Sequence, residues 1–275
     1  MKQDHFEYAS SQHIEGVKAF NATMTSFTYD KHAHEEYAIG VTRKGRQDYF
    51  SDGAFHKSYA GNVMCFNPEQ VHDGSAGAHS TLEYDMLYIP PAKLIPLMRT
   101  MGLTHLNQAR VSDSVFNDPI LRQQILTMCS LLNQDDSQHV DQEAGLISIA
   151  ESLVRLSGAK AITSKSYARK DTLLLRSKEF ILCNLENPIT SDDMSEAANM
   201  SKYHFIRLFR EQFGITPHQY LLNCRINRAR QALEQGTSAL DVALSLGFSD
   251  ASHLNRKFKR VFGITPKQYQ RQFSR

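Results

Sequence analysis

The chain is short of the features that would place it in a membrane, in an oxidising compartment or among thiol-dependent proteins. Its 275 residues hold four cysteines, Cys65, Cys129, Cys183 and Cys224. They lie far apart with no C-x-x-C pair, which excludes a zinc ribbon or a dithiol redox motif and suits small, reduced, buried side chains. No apolar run reaches the roughly eighteen residues a membrane span needs. The N-terminal Met1-Lys2-Gln3-Asp4-His5-Phe6-Glu7 lacks the apolar core of a signal peptide. A cytoplasmic, soluble protein with no membrane partner is expected.

Net charge is also scarce, at +2, but it is unevenly spread. From residue 161 onward there are 18 Lys and Arg against 10 Asp and Glu, and residues 1–160 hold 13 against 19. A basic C-terminal part joined to an acidic N-terminal part fits a nucleic-acid reader carried beside a domain that binds something else. The length allows two domains, each with its own core.

The most informative stretch says nearly the same thing twice. Phe209–Tyr220 (FREQFGITPHQY) recurs as Phe258–Tyr269 (FKRVFGITPKQY), pairing Phe209 with Phe258, Phe213 with Phe262, Gly214 with Gly263, Pro217 with Pro266 and Tyr220 with Tyr269. Each copy reads as a helix closed by a glycine in the left-handed region, followed by a helix with proline in its first turn. A shorter helical pattern precedes each copy, Ser191–Ser201 with serine or aspartate as N-cap, and Ser238–Ser249 with Gly247 for the turn. Two helices joined by such a turn form a helix-turn-helix, whose second helix can enter the major groove. The second helices offer Lys202, Tyr203, His204, Arg207 and Arg210, and Ser252, His253, Asn255, Arg256, Lys259 and Arg260, with Phe205, Leu208, Phe209, Phe213, Leu254, Phe258 and Phe262 turned inward.

The run Ala243–Asp250 (ALSLGFSD), the F-G-I-T-P-x-x-Y tails and the duplication resemble the AraC/XylS family of bacterial transcription regulators over roughly the last hundred residues. That resemblance implies two recognition helices entering successive major-groove segments, with base-reading positions at Tyr203, Ile206 and Arg207 and at Ala251, Ser252, Asn255 and Arg256. Ile206 and Ala251 can only touch a thymine methyl, whereas Arg207 and Arg256 can pair bidentately with guanine. Lys202, Arg210, Lys259 and Arg260 suit phosphates. Ser195 stands where the family usually has alanine.

Residues 1 to about 90 read as short strands, among them Thr23–Tyr29, Tyr37–Thr42, Gln47–Phe50, Val63–Phe66 and Tyr84–Ile89, separated by glycine and proline turns. The order His32-Ala33-His34, Gly45, Gly53, Gly61, Pro68, His72 resembles a cupin-type sensor barrel. Cupins bind a metal through His-x-His, a later glutamate and a further histidine; here the glutamate position falls on Ala38 or Ile39. For His32, His34 and His72 three readings stay open: a polar lining for a small effector, joined by Tyr37 and with Arg43 and Glu83 nearby; a structural or solvent-exposed set at the barrel mouth; or a metal site. The first is preferred, and no cofactor is expected. Helical periods follow at Ala92–Met101, Asp118–Leu132 and Asp141–Leu156, either packing on the barrel or forming a seam with a second copy.

The resulting expectation is α+β: a jelly-roll, cupin-like effector domain with trailing helices over 1–157, a linker over 158–172, and an all-α DNA-binding domain over 173–275. Its helix-turn-helix units span about 192–213 and 240–262, joined by a long helix around Tyr220–Gln235 in which Arg225 and Arg228 either brace the units or meet phosphate. The chain is expected to bind duplex DNA and a small-molecule effector and to act with RNA polymerase; pairing with a second copy as a homodimer is left open by the sequence. A metal-dependent cupin enzyme and a constitutive DNA binder are the competing readings.

Overall fold

The structure, a computed structural model, describes residues 4–77, 81–103, 109–134, 137–158 and 172–273. The expected linker over 158–172 lies, apart from its ends, outside these residues. Contacts divide the chain into two units, one ending beyond the third helix and the other beginning before the fourth.

The first unit is built on two antiparallel sheets. Strands β1 (His5–Ser10), β2 (Lys18–Met24), β4 (Tyr37–Lys44), β7 (Val63–Phe66), β9 (Leu82–Ile89) and β10 (Val115–Phe116) form one sheet in the order β1-β2-β9-β4-β7-β10. Strands β3 (Thr28–His32), β5 (Arg46–Ser51), β6 (Ala54–Tyr59) and β8 (His72–Ala76) form the other, in the order β3-β8-β5-β6. The inner faces meet through Tyr84, whose hydroxyl donates to that of Tyr29 (2.9 Å), and through Phe66, stacked on His72. The stretch 23–29, which reads as one strand, is two. The Asp4 carboxylate accepts from the backbone N–H of Thr25 (2.6 Å) and Ser26 (3.3 Å), and this pinches the chain between β2 and β3.

Strict alternation divides β4 between two cores. Ala38, Gly40 and Thr42 turn toward the second sheet, while Tyr37, Ile39 and Val41 join Val63, Cys65, Leu87 and Ile89 on the outer face. Helices α1 (Pro91–Thr100), α2 (Pro119–Leu132) and α3 (His139–Gly158) cover that face with Leu94, Met98, Leu121, Ile125, Met128, Ile149 and Leu153. The helical periods read from sequence are thus core periods. Asp118 caps α2 by accepting from the Leu121 N–H at 2.8 Å, and Arg155 of α3 donates to its other oxygen at 2.7 Å, tying the two helices together. Among the described residues no helix is long and apolar enough to cross a membrane.

The second unit is all helical: α4 (Thr172–Cys183), α5 (Ser191–Ala197), α6 (Lys202–Phe213), α7 (Pro217–Glu234), α8 (Ala239–Ser245), α9 (Ala251–Phe262) and α10 (Pro266–Phe273). The repeat folds as two copies of one aromatic cluster. Phe209 lies 4.5 Å from Phe213 and 5.7 Å from Tyr220; Phe258 lies 4.6 Å from Phe262 and 5.4 Å from Tyr269. Both α6 and α9 end on a left-handed glycine, Gly214 (φ 77°) and Gly263 (φ 80°). In both copies the following helix opens with a capping box, Thr216 with Gln219 and Thr265 with Gln268. The first helix-turn-helix is capped one residue earlier than the sequence reading placed it. Thr190, rather than Ser191 or an aspartate, accepts from the Asp193 N–H, and the Asp193 carboxylate returns to the Thr190 N–H. Ser195 packs, buried, and donates its hydroxyl to the Asp192 carbonyl.

Candidate nucleic-acid interface and histidine cluster

Each recognition helix shows a division of faces. In α6, Phe205 and Phe209 are fully buried, whereas Lys202, Tyr203, His204, Arg207 and Arg210 are exposed and Ile206 is half-buried beside them. In α9, Leu254, Phe258, Val261 and Phe262 point inward, and Ala251, Ser252, Asn255, Arg256, Lys259 and Arg260 point out. His253 is half-buried at the start of α9, its ring against Phe248 and its Nδ1 3.3 Å from the Ser249 hydroxyl. Burial, then the nearby Lys257 and Arg256 charges, hold its pKa below the usual value, so the ring is neutral near pH 7. Asp250 caps α9 through the His253 N–H at 2.7 Å, which pulls its carboxyl below the ordinary range.

A concave surface lined by Tyr203, Ile206, Arg207, Arg210, Glu211 and Thr216 runs along α6. Arg207 is held only weakly there, 3.4 Å from Glu211, so its guanidinium can turn to another acceptor at little cost. Lys202 is more engaged, 2.9 Å from Asp192.

Arg225 sits in α7, which runs between the two helix-turn-helix units. Its guanidinium donates to three backbone carbonyls: Leu185 (2.9 Å) and Asn187 (2.8 Å) ahead of α5, and Gly247 (3.0 Å) in the turn ahead of α9. Of the two roles the sequence left open for Arg225, the geometry supports the brace. Arg228 instead donates to the neighbouring Gln231 side chain at 3.1 Å. Lys178 of α4 lies over the Phe213 and Tyr220 rings at 5.1 and 5.0 Å, packing the lead helix on the first aromatic cluster.

In the first unit, His32, His34 and His72 converge. His32 closes β3 and is the register partner of His72 at the start of β8; His34 follows two residues on. The rings are 4.8, 4.5 and 5.2 Å apart, and one nitrogen from each lies within 4.8 Å of the others. All three are buried, so they are not an exposed set at a barrel mouth. Phe66 stacks face to face on His72 at 3.8 Å, and Tyr88 meets His34 edge-on at 4.9 Å. Burial lowers the pKa of His32; burial, reinforced by His32 beside it, puts that of His72 well below the usual value.

Tyr37 is not brought to this cluster. It belongs to the outer face of β4, where its hydroxyl donates to the Ala109 carbonyl at 2.9 Å under the helical layer. Arg43 and Glu83 also lie elsewhere, paired with Asp85 (3.5 Å) and Lys44 (3.8 Å). The aromatic neighbours Tyr29, Phe66, Tyr84 and Tyr88 were not singled out from sequence, although period two from Tyr84 to Tyr88 places both on the inner face.

Two family models match the chain: an AraC-like ligand-binding domain over residues 16–150 and a helix-turn-helix domain over residues 194–272. The uncharacterised HTH-type transcriptional regulator YbfI of Bacillus subtilis is 30% identical over 247 residues, covering 88% of this chain and 86% of its own. The chain belongs to the AraC family of transcriptional regulators. It is a DNA-binding regulator of AraC type with an N-terminal ligand-binding domain. Among solved structures, ToxT of Vibrio cholerae shares this two-domain fold. An apo form of ToxT with a single substitution matches with a TM-score of 0.62 at 13% identity, over 96% of this chain and all of ToxT. A form with unsaturated fatty acid bound matches with a TM-score of 0.61 at 12% identity, over 100% of this chain and 98% of ToxT. At these identities the likeness to ToxT is one of fold.

Proposed function

We propose that the exposed faces of α6 and α9 read duplex DNA as a bipartite site, and that a small molecule held in the N-terminal barrel changes the outcome at the promoter. The observation carrying this reading is the repetition itself: two helices with equivalent buried aromatics and equivalent outward arginines. Arg207 and Arg256 suit bidentate pairing to guanine, and Tyr203, Ser252 and Asn255 suit single hydrogen bonds to base edges. Ile206 and Ala251 offer methyl contact. His204, Arg210, His253 and Lys259 serve phosphate or groove-edge positions, as Lys202 does once it leaves Asp192.

The effector side rests on His32, His34 and His72 with the tyrosines around them, without Tyr37. Ligand binding there shifts the population of DNA-competent states, and so alters promoter occupancy or the recruitment of RNA polymerase. Pairing with a second copy is supported by Ile120 of α2 and by Val140 and Ile147 of α3, apolar side chains left exposed in the described unit. In this reading the protein works in the cytoplasm, by binding rather than by catalysis.

The test is binding to the DNA upstream of its own gene over a salt series. Arg207→Ala and Arg256→Ala should each cost about 1–3 kcal/mol and relax specificity, whereas Lys259→Ala should lower the salt slope by about one without changing specificity. Arginine variants that bind every sequence as the parent does would remove the assignment of the recognition faces.

A further inference from the structure

We infer that Asp192 and Glu211 compete with DNA for the cations of α6, so that the second helix-turn-helix unit anchors the protein on any duplex and the first engages only at its matching sequence. This rests on the reading of α6 and α9 as the DNA-reading faces. Charge is the first support. From Thr190 to Phe213 the first unit holds Asp192, Asp193, Glu196 and Glu211 against Lys202, Arg207 and Arg210. From Ser238 to Phe262 the second holds Asp241 and Asp250 against Arg256, Lys257, Lys259 and Arg260. Counting histidines as neutral, the first unit carries −1 and the second +2. The basic balance of the C-terminal half is not shared equally by its two reading units.

The placement of the acids is the second support. Asp193, Asp241 and Asp250 serve helix starts, accepting from the Thr190 N–H, the Ser238 hydroxyl and the His253 N–H respectively. Asp192 and Glu211 hold cations instead, Asp192 at 2.9 Å from Lys202 and Glu211 at 3.4 Å from Arg207. Shifted by the 49 residues of the repeat, Arg207 falls on Arg256, but Glu211 falls on Arg260 and Lys202 on Ala251. One turn beyond the reading arginine, α6 presents a carboxylate where α9 presents a guanidinium. Glu211 lines the same concave surface as Arg207 and Arg210. Among the described residues, Lys259 and Arg260 make no ion pair.

A phosphate contact gains mainly from released counterions, about 0.9 of a monovalent ion per contact. A cation beside a carboxylate has fewer to release, and on turning to phosphate it leaves that carboxylate facing the duplex. For an exposed pair the penalty is roughly a two- to fivefold change in affinity, and it falls on every sequence alike. Bidentate pairing of Arg207 to guanine offsets it, as does a cytosine amino group donating to the released Glu211. Non-matching DNA supplies neither. There α6 stays off the duplex while Arg256, Lys259 and Arg260 hold it.

The experiment follows binding of the full-length protein by fluorescence anisotropy over a salt series. The probes are the DNA upstream of its own gene and a scrambled duplex of equal length and composition. Glu211→Gln and Asp192→Asn should each tighten binding to the scrambled duplex roughly two- to fivefold and steepen its salt slope. Binding to the upstream DNA should gain less, so the ratio between the two falls. Glu196→Gln removes an exposed acid of the same unit that makes no ion pair among the described residues, and should change either affinity by less than half as much. On the scrambled duplex Arg260→Gln should lower the salt slope by about one, and Lys202→Gln by less than half of that. All these side chains are exposed, and circular dichroism checks that each variant is folded. Equal gains from Glu196→Gln and the two paired acids would reduce the effect to overall charge and overturn the competition. Unchanged binding in Glu211→Gln and Asp192→Asn, or equal slope losses at Lys202 and Arg260, would overturn it too. If Arg207→Ala and Arg256→Ala bind every sequence as the parent does, the reading faces fall and the competition with them. If those two lose specificity while the acid variants change nothing, only the competition falls.

Discussion

Replacing Arg225 tests whether one side chain of α7 holds the two halves of the DNA-binding domain in place. Its three hydrogen bonds span Leu185, Asn187 and Gly247, segments far apart in the chain that lead into α5 and α9. A hydrogen bond from a charged donor is worth more than a neutral one, but this guanidinium is half-exposed and water can replace part of each bond. About 1 kcal/mol apiece is a fair net value, and in Arg225→Ala the carbonyls nearest solvent recover some of it. The expected loss is therefore about 2 kcal/mol, which for a domain of this size lowers its melting temperature by about 8 °C. Arg225→Lys should recover less than half, because one ammonium group cannot span three diverging carbonyls. The assay is thermal unfolding followed by circular dichroism, with operator binding measured well below the transition. Affinity should fall even where the domain stays folded, since the approach to each recognition helix loses a fixed point. A melting temperature within 1 °C of the parent, with unchanged affinity, would refute the brace.

Two further outcomes follow from the same geometry. Gly247 has φ +66° and a Cβ there would sit 2.8 Å from an Arg225 guanidinium nitrogen, so Gly247→Ala should cost about 1–2 kcal/mol in thermal unfolding. It should cost less in an Arg225→Ala background, where only the backbone strain remains; equal costs in both backgrounds would deny the contact. For Asp118, burial opposes ionisation, but hydrogen bonds from the Leu121 N–H and the Arg155 guanidinium outweigh it and hold the carboxyl below its ordinary value. Its stabilisation is thus present above the unfolded carboxyl pKa of about 3.9 and lost as pH falls through the lower folded value. Asp118→Asn keeps the cap but not the charge, so the melting-temperature gap between parent and variant should be steady from pH 5 to 8 and shrink toward pH 3. A gap that stays constant down to pH 3 would show that the pair with Arg155 contributes no pH-dependent stability.

The DNA-binding half was the more legible because its signals are local. Helix periods, Gly214 and Gly263 past helix ends, and Thr-Pro starts all act within a few residues, and a 49-residue repeat states them twice. The capping boxes of Thr216 with Gln219 and Thr265 with Gln268 were readable in the same way. The trailing helices of the sensor half were legible for the same reason, each carrying its own apolar stripe.

What the sequence determined by itself, then, is the α+β division, the helical faces, the paired recognition helices and the family they belong to. The tertiary structure decided what depends on register between distant strands. Tyr37 is one residue from the inward face of β4 and so lies under the helices rather than with the histidines. Asp4 divides the stretch read as a single strand. Arg225 finds its three carbonyls only when α7 packs between segments some twenty and forty residues away. His32 and His72 meet because β3 pairs with β8 in one register, and the carbonyls of Asp30 and Gln70 orient both rings. A period along the chain says which side chains share a face; only strand pairing and packing say what that face meets.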